Sequence, residues 1–348
     1  MTKPMVSRGP ASRAELSPRL FDALRDQYGL RNSEDATDLG GSSNLNLLIS
    51  HNLQRYVVRV YRPWVTVARL SDIQQVRKHL AYGGVPCAQP LLTQSGASWI
   101  VIDERLVEVE PYVEHDANMD TWPRLEAGIP LLGRIHKLLR TVRVSEDGCN
   151  APAANAVDPH DVLTMTLRGI ECIRLWDASP VEIALATEAE TLAQLVNQAQ
   201  SRIEELPRQL VHGDYWDNNV FFQEGRIVQV ADFDFMGERT RVEDLALTLY
   251  YTNSTFSDDP VSDKRIQMLR TLVDAYDTGT DERLTEAERA MLPIALARTS
   301  LAFIAMIADI DSEVGARSMA AKMVGDVAWS LIIMRDLERW QTGFANPQ

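Results

Sequence analysis

The segment at residues 210–235, LVHGDYWDNNVFFQEGRIVQVADFDF, restricts the folds open to this chain more than any other. Two short apolar runs, 219–222 and 227–231, flank the turn-like Gln223-Glu224-Gly225. Short runs with alternating and β-branched residues around such a turn read as a β-hairpin. A hairpin returns on itself, so its outer ends lie side by side. His212, Gly213 and Asp214 stand just before the first run, with Asn219 five residues beyond Asp214; Asp232 and Asp234 follow the second run. Asp214, Asn219 and Asp232 are therefore expected at one end of one small sheet. A carboxylate to orient and deprotonate a hydroxyl, plus an amide oxygen and a second carboxylate to hold Mg²⁺ on nucleotide phosphates, is the group set of phosphoryl transfer. Taken singly, an Asp beside Gly is commonly a turn residue, and Asp232 could cap a helix.

His212-Gly213-Asp214 with Asn219, then Asp232-Phe233-Asp234 and Asp244-Leu245-Ala246, resembles the aminoglycoside phosphotransferase and choline kinase-like superfamily, a branch of the protein-kinase-like fold. Its catalytic loop has the pattern H-G-D-x4-N, followed by a D-x-D strand end. Gly213 stands where protein kinases carry the Arg of H-R-D, and no A-P-E follows, which favours a small-molecule kinase. The resemblance implies an α+β, two-lobed fold. A small N-lobe with an antiparallel sheet (14–113) would sit over a larger, mainly helical C-lobe (114–348), behind a disordered stretch at 1–13. It implies ATP, or GTP, with Mg²⁺ in the cleft. Asp214 would be the catalytic base; Asn219 and Asp232 would hold the metal, with Asp234 behind them or on a second ion. His212 would pack under the loop and fix its backbone rather than act in catalysis.

The first half of the chain supplies the nucleotide candidates. Ser17 and Pro18 open an amphipathic helix that Gly29 stops, with Leu20, Phe21, Leu24 and Tyr28 on one side. Leu39-Gly40-Gly41-Ser42-Ser43-Asn44 is read as a turn between strands at 46–50 and 56–61. Gly41, Ser42 and Ser43 would let the backbone approach phosphates, although a plain hairpin turn has the same composition. In YVVRVYRP, strand alternation puts Val57, Arg59 and Tyr61 on one face. By resemblance Val57 lines the adenine and Arg59 meets the phosphates, where Lys is usual; the guanidinium keeps the charge and fits phosphate as a fork. The following helix (65–81) should bring a Glu to that cation, and none is in place; Asp72, Gln74 and Gln75 are the candidates. Strands at 99–102 and 106–112 lead into Val109-Glu110-Pro111-Tyr112-Val113. By resemblance this is the lobe linker, with Glu110 and Val113 offering main-chain groups to the adenine edge.

Beyond residue 114 the pattern is helical, with a GIPLLGRIHKLL helix at 128–139 and long helices at 158–177, 180–205, 262–276, 285–310 and 312–339. Candidates to meet the acceptor are Trp216 and Asp217 inside the loop, Tyr250 beside Tyr251, and Asp258, Asp259, Asp309, Asp311 and Glu313. Core packing of the rings and solvation of the acids are the competing readings. A net charge of −14 argues against nucleic acid as a partner and is compatible with a cationic acceptor. No apolar run reaches membrane-span length, and the basic N-terminus lacks the apolar core of a secretory signal. Cys87, Cys149 and Cys172 are isolated and read as reduced thiols of a cytoplasmic protein. The expectation is an O-phosphotransferase acting on a small-molecule hydroxyl. A resistance-type kinase for an aminoglycoside-like antibiotic is placed first. The alternatives are a metabolic kinase for choline, homoserine or fructosamine-like substrates and a non-catalytic pseudokinase.

Overall fold

Ser17 accepts the Arg19 amide and Pro18 occupies the first turn, so α1 (Pro18–Tyr28) begins where the capping residues place it, and Gly29 ends it at φ 72°. The structure is a computed structural model that describes residues 13–31, 36–41, 44–150, 157–200, 206–256 and 259–345. The expectation of disorder at 1–13 falls outside these residues except at Arg13. That guanidinium is held, by Asp38 and by the carbonyls of Asn44 and Gly40.

Next come β1 (Thr37–Asp38), β2 (Leu45–His51), β3 (Gln54–Val60), α2 (Val67–Tyr82), β4 (Ile100–Ile102) and β5 (Arg105–Pro111). The five strands form one antiparallel sheet in the order β1-β2-β3-β5-β4. Alternation sorts its two faces. Leu45, Leu47, Ile49, Val58, Val60, Val107 and Val109 pack with Leu20 and Leu24 of α1. The opposite face carries Val57, Arg59, Glu108 and Glu110, because Val57 pairs with Glu110 and Arg59 with Glu108 in the β3–β5 register. One sequence expectation is corrected here. The glycine turn does not join β2 to β3. It precedes both, linking β1 to β2, and the β2–β3 turn is Asn52-Leu53, both at positive φ. Two consecutive positive-φ residues make the tight turn that matches strand twist.

The remainder is mainly helical: β6 (Ala117–Asn118), α3 (Trp122–Leu139), α4 (Glu146–Cys149), α5 (Val162–Leu175), α6 (Pro180–Ala199), β7 (Arg208–Val211), β8 (Val220–Gln223), β9 (Arg226–Val230) and β10 (Gly237–Thr240), then α7 (Arg241–Thr255), α8 (Asp263–Gly279), α9 (Glu286–Met306), α10 (Glu313–Arg335) and α11 (Leu337–Phe344). The hairpin expected from 219–231 is β8–β9, closed by Glu224-Gly225 at positive φ. Most of these helices share one apolar core. The sequence reading that no stretch could span a membrane needs one correction. Glu286–Asp309 is long and apolar enough, with a mean hydropathy of 1.8, but 83% of that window is buried in the protein. It is a buried core helix, and two of its buried charges are paired: Glu288 with Arg241 at 2.6 Å and Arg289 with Asp277 at 2.6 Å.

Candidate active site

β7 delivers the chain to His212 and Gly213, and the loop that follows is fixed from below. Gly213 has φ 83°, and a Cβ there would lie 2.0 Å from the Phe235 carbonyl oxygen, so only glycine fits. The buried Asp244 carboxylate accepts the His212 amide at 3.0 Å, the Gly213 amide at 2.9 Å and His136 Nε2 at 2.9 Å. His136 Nδ1 meets the Tyr276 hydroxyl at 2.7 Å. Burial alone would push the Asp244 carboxyl up; the His136 bond and neighbouring positive charge outweigh it and hold the group below the usual carboxylate range. His212 Nε2 donates to the Ala231 carbonyl at 3.1 Å, and Nδ1 accepts the Asp214 amide at 3.2 Å. Burial drives this imidazole down to about 4, so it is neutral at physiological pH. It is thus a brace between the loop and the end of β9.

Asp214 and Asn219 come together directly. Asn219 Nδ2 donates to the Asp214 carbonyl at 2.8 Å and to Asp214 Oδ2 at 3.0 Å, which turns its amide oxygen away from Asp214. The Ala231 amide donates to the Asn219 carbonyl at 2.9 Å, so Asp232 begins beside Asn219. Asp232 sits in the left-handed region (φ 64°, ψ 61°), a costly conformation for a non-glycine residue. Burial and the neighbouring Asp234 push its carboxyl up to about 6, against the pull of Arg59 and Arg62. Asp234 is buried; its side chain accepts Asn44 Nδ2 from the end of the glycine turn, and its carbonyl accepts Arg69 Nε and Nη2 from α2.

Arg59 reaches across to this cluster, with Nη1 3.5 Å from Asp232 Oδ1. None of the sequence candidates on α2 faces it. Asp72 accepts the Ser145 amide, Gln74 donates to Glu108 at 2.6 Å and Gln75 donates to the Arg143 carbonyl at 3.0 Å. α2 instead presents Arg77, which pairs with Glu108 at 2.8 Å and Glu110 at 3.0 Å. The Glu110 side chain is therefore part of a buried ion network. The Val113 carbonyl lies 2.9 Å from His115 Nδ1. Gly41 has φ 102°, and Ser42 and Ser43 lie outside the described residues, as does Asp258.

On the far side of Asp214, Trp216 stacks on Tyr251 with ring centroids 4.5 Å apart. Burial, with the fields of Asp214, Asp217 and Asp326, pushes the Tyr251 phenol up. Asp217 is raised by its own burial. The choice of Tyr250 is corrected. It is 1% exposed, and its hydroxyl is given to Asp326, because its helical position faces the core. Asp309 lies 3.7 Å from Arg168, at the end of α9. Sequence reasoning missed Asn44, Arg69, Arg77, Glu108 and Asp326 as site residues, while Tyr251 was named only beside Tyr250. Arg69 and Arg77 did leave a signal, as charged residues at positions of α2 that apolar periodicity would fill.

Residues 36–286 match the model of the phosphotransferase enzyme family, which is most of the chain. The chain belongs to that family. It is a phosphotransferase with an alcohol group as acceptor, a small-molecule kinase. Among curated relatives, a homoserine kinase of Bradyrhizobium sp. strain BTAi1 is 24% identical over 274 residues, covering 76% of this chain and 75% of the relative. A homoserine kinase of Gluconacetobacter diazotrophicus is 23% identical over 264 residues, covering 76% and 77%. Among solved structures, an amicoumacin kinase in complex with AMP-PNP and Ca²⁺ has a TM-score of 0.68 at 15% identity, covering 90% of this chain and 93% of its own. A microcompartment-associated aminopropanol kinase has a TM-score of 0.68 at 18% identity, covering 94% and 98%. The two-lobed kinase-like fold of this phosphotransferase is the one these structures share.

Proposed function

We propose that the protein moves the γ-phosphate of ATP to the hydroxyl of a small, amine-bearing alcohol, of the size of homoserine or an amino alcohol. The observation that carries the reading is the Asp214–Asn219 pair, hydrogen-bonded at 3.0 Å at the end of the hairpin where Asp232 begins. Asp214 accepts or aligns the hydroxyl proton. The Asn219 amide oxygen and the Asp232 carboxylate are hard oxygen donors of the kind that hold Mg²⁺, with Asp234 behind them. An ion of this kind completes its shell with phosphate oxygens and water. When bound, such an ion neutralises charge on the triphosphate. Arg59 adds a second positive centre, and Val57, on the same sheet face as Arg59, is assigned to the nucleotide together with Gly41 and the 110–113 linker.

For the acceptor, Trp216 and Tyr251 offer an aromatic face beside Asp214, with Asp217 and Asp326 close to it. Rings and carboxylates together suit an ammonium group. The curated relatives named homoserine kinase favour a metabolic acceptor over the antibiotic placed first on sequence grounds. Mass spectrometry of mixtures containing ATP, Mg²⁺ and homoserine, amino alcohols or aminoglycosides tests this directly, by seeking a gain of one phosphate. Transfer to the aminoglycoside alone would overturn the acceptor assignment. Asp214→Ala should lower kcat by about 10²- to 10⁴-fold while ATP still binds. Normal turnover in that variant would remove Asp214 from its role.

A further inference from the structure

The cation that meets the nucleotide usually depends on a carboxylate carried by the following helix, and α2 has none in reach of Arg59. The carboxylates lie on the neighbouring strand. Arg59 faces Glu108 in the β3–β5 register, and Glu110 stands one pleat further along the same face. Glu108 is engaged by Arg77 at 2.8 Å, Gln74 at 2.6 Å and the Tyr61 hydroxyl at 3.4 Å. Glu110 takes one bond from Arg77 at 3.0 Å, and it borders the cavity that Arg59, Asp232 and Asp234 also line. Glu108 does not line that cavity.

Resting on the ATP-dependent reading above, we propose that Glu110 is the positioning residue for Arg59, held in place by Arg77: strand β5 supplies the carboxylate and α2 supplies its anchoring cation. The contact now made by Arg59 is to Asp232, at 3.5 Å. Asp232 is needed elsewhere once nucleotide and metal enter. The carboxylate that strand β5 brings to the same cavity, on the face that carries Arg59, is Glu110. Arg77 fits the anchor role: it is 6% exposed, and its Nε and Nη2 find no hydrogen-bond partner. It therefore holds the two glutamates through Nη1 alone, and a buried charge in that setting is stable only while both carboxylates stay in place. Because Glu110 and Arg59 ride on adjacent strands of one sheet, a tilt of α2 would not part them.

The test is a double-mutant cycle in the full chain with Glu110→Gln, Arg59→Gln and the pair, reading KM for ATP, KM for the acceptor and kcat. Glu110→Gln is expected to raise the ATP KM about tenfold and to leave the acceptor KM within about twofold. In the Arg59→Gln background the same change is expected to add little, since its effect passes through Arg59. An unchanged ATP KM in Glu110→Gln, or effects that multiply in the double variant, would overturn the proposal and leave the network a purely structural one. If Glu110→Gln does not fold, Glu110→Asp, which keeps the charge and withdraws it by one methylene, reads the same coupling with the same criteria. A wild-type chain that binds no ATP would overturn the proposed function first, and this inference with it.

Discussion

At the residue scale the loop that carries Asp214 is held by side chains set behind it, Asp244 and His212. His212 was legible as a brace because it directly precedes Gly213 and Asp214. The tautomer it must hold is visible only in space, where Nε2 meets the Ala231 carbonyl and Nδ1 the Asp214 amide. This has a pH consequence. The imidazole titrates at about 4 when folded and at its ordinary 6.5 when unfolded. Between those values the unfolded chain binds a proton that the native chain does not. The stability that His212 contributes is therefore complete above about pH 6.5 and declines on acidification, by about 1.4 kcal/mol per pH unit, until about pH 4. Asp232 acts in the opposite sense, since its raised pKa lets the native chain hold a proton near pH 5, so wild type alone would mask the slope. Urea unfolding of wild type and His212→Gln side by side isolates it. The stability difference between them should be level above about pH 6.5 and shrink from there to about pH 4, and a constant difference across that range would contradict the buried neutral imidazole. The pairing of Arg77 with Glu108 was illegible for a related reason, although Arg77 itself left a signal in α2: an ion pair between a helix and a distant strand leaves no local spacing to read.

At the scale of elements, capping and periodicity located the helices well, as at Ser17 and Gly29 around α1. Turns were read less well. The β2–β3 turn uses Leu53 at φ 66°, fully exposed, and leucine carries no turn signal, so the nearby glycines drew the assignment. Two glycines inside helices behave oppositely, and only the structure separates them. Gly133 of α3 faces α8, and an added Cβ would lie 2.4 Å from the Tyr276 carbonyl oxygen. Backbone cannot give way there as a side chain can. Gly133→Ala should push α8 outward and draw the Tyr276 hydroxyl off His136, and His136 supports Asp244. The expected cost is about 1–3 kcal/mol after the gain in helix propensity, with kcat lowered as well. Gly325 of α10 has nothing within 4 Å of such a Cβ, so Gly325→Ala should stabilise by about 0.5–1 kcal/mol at unchanged kcat. Chemical denaturation and steady-state assays of the two variants check both signs, and the same sign in both would refute the close-packing account.

At the scale of the whole molecule, segment 232–236 ties the two lobes beside the site, in addition to the bonds that α2 makes with 143–147. Arg59 reaches Asp232, Asn44 reaches the Asp234 side chain, and Arg69 donates to the Asp234 and Met236 carbonyls. The two-lobed plan was legible from the order of motifs, but this junction was not, because its donors come from the glycine turn, β3 and α2, more than 160 residues away. Arg69 is the strongest tie: it is 2% exposed, and it also donates to the Asp147 carbonyl beside α4. Arg69→Met would keep most of the apolar stem and leave four carbonyls, those of Asp147, Gly148, Asp234 and Met236, without their charged donor. At about 1–3 kcal/mol for each buried group left unsatisfied, less what water and relaxation restore, a loss of about 3–5 kcal/mol is expected. The loss should be directional. Hydrogen exchange should quicken in α2 and in 232–236, while α9 and α10, which share no contact with Arg69, keep their protection. ATP affinity should fall with it, since Arg59 and the Asp232 carboxylate belong to different lobes and the nucleotide requires both. Acceleration spread evenly over the chain would mean that Arg69 supports global stability only, and unaltered ATP affinity would mean that the lobes keep their alignment without it.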